Sequence, residues 1–128
     1  MGRSLASEPL SREACLALLA NADLGRVVLS VHALPAAVPA RISLVGDDHL
    51  VLASSEEAVI LAAQRGDVIS VQIDGLESDG STWSVMASGI ATGSIHEESL
   101  RPSLRDAMHH GAKLLALPLS VLIGQRGR

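Results

Sequence analysis

Apolar residues recur along this chain in two rhythms, and the switch between them marks the elements. Arg26-Val27-Val28-Leu29-Ser30-Val31-His32 predicts a first strand. Leu34 to Val45 predicts a second, and His49-Leu50-Val51-Leu52-Ala53 a third, with Gly46-Asp47-Asp48 as the turn between them. Val68 to Asp74 carries β-branched residues at alternate positions and predicts a fourth strand. Gly75 to Gly80 is a polar loop, and Ser81 to His96 a long fifth strand that Gly89 and Gly93 would bend or bulge. Leu117 to Gln125 closes the series as a sixth.

Three stretches break that alternation. Cys15, Leu18, Leu19 and Ala22 follow the i, i+3, i+4, i+7 spacing of one buried helix face, in a helix capped by Ser11. Ser54 and Glu57 have the spacing of a capping box for a second helix, Glu56 to about Arg65, ended by Gly66. A third helix begins near Ser99 or Arg101, with Pro102 in its first turn, and ends near Gly111. The fold class expected is mainly β with flanking helices: a six-stranded antiparallel barrel. Residues 1–10 read as a flexible tail and 11–128 as a single domain.

Pro35 and Pro39 stand in the second strand. Proline donates no ladder hydrogen bond, so this strand is expected to have a bulge or an open side. An open side is where a ligand or a second chain can dock.

Composition narrows the function classes. Apolar residues are 48% of the 128, but the chain has one Trp and no Tyr or Phe. The core is therefore built from Val, Leu, Ile and Ala, and no aromatic platform for single-stranded nucleic acid exists. The net charge of -4 also argues against nucleic acid. Cys15 stands alone, so no intrachain disulfide forms, and its place on the apolar helix face makes it a core residue. Met1 to Pro9 lacks the apolar run of a leader, and Leu114 to Ile123, broken by Pro118, is too short to cross a bilayer. The expected compartment is the cytoplasm, with no membrane partner.

Few residues suggest chemistry. A Gly-x-Ser-x-Gly elbow is absent. His109 and His110 are adjacent on a helix, so they diverge by about 100° and do not share one metal ion. His32, His49 and His96 lie near strand ends and read as surface or contact residues. No metal site is expected; a haem held by one histidine is the remaining alternative. Ser54 and Ser55 end a strand and open a helix, an arrangement that offers N–H groups to a phosphate, with Arg41 as the nearest cation. Glu56 and Glu57 sit in the same first turn, so an ordinary capped helix with Arg41 paired to a glutamate uses the same residues. Trp83 could cover a planar ligand, anchor an interface or simply fill the core.

Taken in order, Leu24 to Val27, Leu34 to Pro39, Ala62 to Gly66, Trp83-Ser84-Val85 with Ser88-Gly89, and Ile123-Gly124 resemble the flavin-binding split barrels related to pyridoxamine 5'-phosphate oxidase. The resemblance spans about Leu16 to Gly124. It implies an FMN-binding split barrel and a homodimer, with flavin or another small molecule in clefts between subunits. It would lay the backbone of Ala40, Arg41 and Ile42 against the isoalloxazine edge, with Arg41 toward the flavin. It would hold the phosphate at Ser54 and Ser55, and bring Trp83 and Ser84 in from the partner chain. The resemblance also implies a basic residue in the helix after Ser55, where this chain has Ala58-Val59-Ile60-Leu61. The expected function is a flavin-dependent oxidoreductase of unspecified substrate, with deazaflavin as a variant cofactor. The alternative is a flavin-free dimeric small-molecule-binding or regulatory module on the same fold. No catalytic acid or base stands out.

Overall fold

The computed structural model describes residues 7–93 and 100–127. Among these residues, eight strands form one sheet in which each neighbouring pair is antiparallel. They are β1 (Glu8–Pro9), β2 (Leu24–Val31), β3 (Leu34–Val45), β4 (His49–Ser54), β5 (Val68–Leu76), β6 (Thr82–Ile90), β7 (Lys113–Pro118) and β8 (Val121–Gly127). Three helices interrupt them: α1 (Arg12–Ala20), α2 (Glu57–Arg65) and α3 (Pro102–His109). The sheet runs β1-β8-β6-β5-β2-β3-β4-β7. It curls until the segment after β6 meets β7, where Thr92 and Ala116 exchange two backbone hydrogen bonds of 2.9 and 2.7 Å. This is the split-barrel class that the sequence implies.

The strand count differs from the expected six for two local reasons. The final apolar run is two strands, β7 and β8, broken at Leu119-Ser120 rather than continuing from Leu117 to Gln125: β7 pairs with β4 and β8 with β6. Residues 8 and 9, expected in a loose tail, pair with Arg126 and Gln125. β5 also extends through Gly75 to Leu76, and β6 ends at Ile90; the part of the expected long strand at 94–96 and the helix start at Ser99 lie outside the described residues.

β2 and β3 are joined by a two-residue turn in which His32 and Ala33 both have positive φ, 51° and 65°. Hairpin loops of this length favour such a turn because its twist matches the strands. Inside the barrel, Val27, Ile42, Leu50, Leu52, Val71, Val85 and Leu117 form the main core. β4 is buried on both faces. Leu50 and Leu52 point into that core, while Val51 and Ala53 lie in a second cluster with Leu100 and Leu104 of the α3 region. Arg12 of α1 ties two turns together: its guanidinium donates to the Leu119 carbonyl at 2.6 Å and the Asp47 carbonyl at 2.9 Å.

Candidate functional site: a cleft on the open edge of β3

The prolines of β3 fall where they cost no ladder bond. Ile42 N–H donates to the Asp23 carbonyl at 3.0 Å. N–H groups of an extended strand alternate in direction, so those of Ala40, Val38 and Ala36 also face β2. Pro39 and Pro35 stand in the intervening pairs, opposite Arg26 and Ser30, with their nitrogens toward the other edge. β4 pairs only with Arg41–Val45, so that edge is open from Leu34 to Ala40. The sequence expectation of an open side holds, without a bulge.

A cleft of about 550 Å³ lies against this edge. Its walls come from Asp23 and Leu24 at the start of β2, Pro39 to Arg41 of β3, Ala53 to Glu56 at the β4–α2 junction, and Ala107, His110 and Ala112 around α3. Four of the seven residues named from sequence meet here: Ala40, Arg41, Ser54 and Ser55. Three do not line it. Ile42 is fully buried in the core. Trp83 packs on the core from β6, its ring lying over Gly75, where an added Cβ would come within 2.5 Å of the indole. Ser84 lies on the outer sheet face, with β5 and β2 between it and β3.

The charges of the cleft are sorted by their partners. Arg41 is exposed and, among the described residues, its guanidinium makes no hydrogen bond or ion pair. It does not pair with Glu56 or Glu57, as the ordinary-helix reading expected. Asp23 is engaged by Arg101, whose Nη1 lies 2.7 Å from its Oδ1. Glu56 stands at the N-cap of α2 with no side-chain cap hydrogen bond. The expected capping box does not form; instead Ser54 Oγ accepts from Glu56 N–H at 3.1 Å. The N-cap falls at Glu56, two residues after Ser54, which turns Ser54 away from the role of cap and leaves the N-cap of α2 without a side-chain hydrogen bond.

Sequence reasoning missed Asp23, Leu24 and the α3 wall. His110 is exposed, and its place on the cleft wall went unread because nothing local says which strands α3 covers. In the structure its Nδ1 lies 2.8 Å from the Asp106 carbonyl, which can only accept, so Nδ1 carries the proton and Nε2 is the unengaged ring atom. Among the described residues no group of three His, Cys, Asp or Glu side chains converges for a metal, and no helix is long and apolar enough to cross a membrane.

The sequence profile of the pyridoxamine 5'-phosphate oxidase family matches residues 11–113. The chain belongs to that family. Solved structures share its fold. A FAD-binding protein from Mesorhizobium loti superimposes with a TM-score of 0.79 at 16% identity, over 95% of this chain and 99% of that one. A FAD-binding protein from Mycobacterium smegmatis gives 0.71 at 20% identity, over 96% and 100%. A FAD- and haem-binding protein from the same organism gives 0.70 at 20% identity, over 96% and 74%. No curated protein matches the chain at a significant level. In this chain the cleft lies at a strand edge that two prolines leave unpaired.

Proposed function

We propose that this family member binds a flavin, FMN in the first instance, in the β3 cleft, and that it serves as a flavin-dependent oxidoreductase. The observation that carries the reading is the unpaired Arg41 beside the uncapped start of α2, in a cleft of about 550 Å³. That volume falls within the roughly 300–1,000 Å³ typical of small-molecule sites. The donor set fits an acceptor-rich ligand. Arg41 supplies a charged fork, the Ser55 hydroxyl and the first N–H groups of α2 supply neutral donors, and Arg101 offsets the carboxylate of Asp23. Flavin-binding relatives support the same reading, since the Mesorhizobium loti and Mycobacterium smegmatis neighbours are FAD-binding proteins.

In this reading Ser54, Ser55 and the α2 start hold the phosphate, Ala40 and Arg41 border the ring, and Ile42 supports them from the core. A bound flavin supplies the redox chemistry; the protein's part is to orient it and exclude water from one face. A partner subunit would complete the cleft with Ser84, which lies on the outer sheet face, while Trp83 stays on the core of its own chain. The outer face of β5, β6 and β8 supports pairing with a second copy: Val68, Ile90, Val121 and Ile123 are each at least half exposed there. An apolar sheet face of that kind is unusual on a lone chain.

Glu56 and Glu57 favour a second reading, a dimeric small-molecule-binding module without flavin, because both carboxylates oppose a phosphate at α2. Visible absorbance of the purified protein, followed by FMN and FAD titration against quenching of flavin emission, separates the two. Saturation at micromolar flavin supports the first reading; a flat response to millimolar flavin favours the second. Sedimentation equilibrium tests the dimer.

A further inference from the structure

Ser54, the last residue of β4, stands directly opposite Lys113, the first residue of β7. Directly opposed residues of an antiparallel pair put their side chains on one face, with Cβ atoms about 4.5–5.5 Å apart. Ser54 is buried at the cleft, and Ala112, next to Lys113, lines the same cleft. Lys113 is the only lysine in the chain. It is exposed, and among the described residues its ammonium has no hydrogen bond or ion pair. It borders a second cavity of about 400 Å³, which Gln64 of α2 and Thr92 also line.

The other well-placed cations are committed. Arg12 holds two carbonyls, Arg26 pairs with Asp74, Arg65 with Asp67, Arg101 with Asp23 and Arg126 with Glu77. Within α2 itself the first base is Arg65, in the last turn. A dianionic group at the start of α2 therefore meets Glu56 and Glu57, with Arg41 as the unpaired arginine among the described residues that line the cleft. Arg41 lies on the outer face of the sheet, directly opposite Ala53. Lys113 lies on the inner face, with Ser54. The two cations flank the β4–α2 junction from opposite faces.

We propose that Lys113 is the second cation of this site: its ammonium pairs with the phosphoryl group of the ligand held at Ser54-Ser55, working with Arg41 against the two glutamates. A lysine on a flexible four-carbon stem suits this role because it reaches as a point charge and needs no fixed geometry. The inference rests on the flavin reading above and adds the residue that makes the phosphate end tenable.

FMN and riboflavin differ by the phosphate alone, so paired titrations isolate this contact. Lys113→Met is expected to weaken FMN binding about 10- to 100-fold, the scale of one charge-assisted contact, and to leave riboflavin affinity unchanged. Lys113→Arg is expected to restore most of the FMN affinity. Equal losses for both flavins, or unchanged FMN binding in Lys113→Met, would overturn the assignment and leave the flavin reading standing. Wild-type protein that binds neither flavin would overturn both. Should Lys113→Met fold poorly, the wild-type salt dependence decides: FMN affinity should fall with ionic strength more steeply than riboflavin affinity, and parallel slopes would contradict the proposal.

Discussion

Arg101 and Asp23 join the two ends of the cleft wall. Arg101 Nη1 lies 2.7 Å from Asp23 Oδ1 and equally 2.7 Å from the Ala22 carbonyl, while Nη2 donates to the Ala20 carbonyl. Arg101 is the N-cap residue of α3, and Ala20 ends α1. One guanidinium thus satisfies the unpaired carbonyls at the end of α1, places a positive charge where that helix's dipole is negative, and holds α3 beside the cleft. Arg101→Met should lower unfolding free energy by about 2–3 kcal/mol, the scale of hydrogen bonds to a charged group. Urea denaturation measures the loss. Hydrogen exchange should show it concentrated in α3, and uniform loss of protection would argue against a local clamp.

Gly124 of β8 lies under α1. A Cβ there would fall well inside van der Waals contact with Cys15 Sγ and press on Leu10. Gly124→Ala is expected to destabilise by about 1–3 kcal/mol, the usual cost of overpacking. Adding Cys15→Ala should recover part of the loss, so the double-mutant cycle gives a coupling energy that two independent sites would lack. Burial also pushes the Cys15 thiol up, against the opposing pull of Arg12. In the folded protein it should resist alkylation that proceeds readily in urea.

Ala33 occupies the left-handed region at φ 65° in the β2–β3 turn. An L-residue there costs about 1–2 kcal/mol, and glycine's greater freedom when unfolded returns part of that. Ala33→Gly should therefore stabilise by about 0.5–1 kcal/mol, read from the urea midpoint at constant m-value.

The Ser81 hydroxyl donates to Asp79 Oδ1 at 2.5 Å and the Ser81 N–H to the same oxygen at 2.9 Å. These bonds, the hydroxyl first, hold the Asp79 carboxyl below its ordinary value, although burial opposes them. A depressed carboxyl adds stability above its unfolded value, and that stability is lost as pH falls through the folded one. Carbon-detected titration should find Asp79 low in wild type and moved upward in Ser81→Ala. An unshifted Asp79 in the variant would show that the loop geometry, not Ser81, sets its acidity.

Glu56 borders the cleft at the head of α2. If the phosphate rests there, Glu56→Lys removes a repulsion and adds an attraction, and FMN should bind at least about tenfold more tightly. Unchanged affinity in this variant would move the phosphate to another part of the cleft.

Periodicity and turn residues were enough to set β2 to β6, α1 and α2 in order, because both act over a few neighbouring residues. Local signals also carried the open side of β3: Pro35 and Pro39 remove donors wherever the strand is placed. They failed where pairing partners are remote. The last apolar run does not show that it breaks at Leu119-Ser120 and crosses from β4 to β6, and nothing near residues 8 and 9 shows that β8 will accept them as a strand. The site divides in the same way. Arg41, Ser54 and Ser55 stand out because a strand leading into a helix is itself a local anion-binding pattern. Asp23, His110 and Lys113 reach the neighbourhood of that junction only when the sheet curls and α3 docks over β4, contacts separated by tens of residues that no short window encodes. The sequence by itself determined the kinds of element and the strand edge left unpaired. Tertiary structure alone decided which charges face one another across that edge, because Coulomb interactions and ladder pairing depend on distance in space, and chain closure sets that distance.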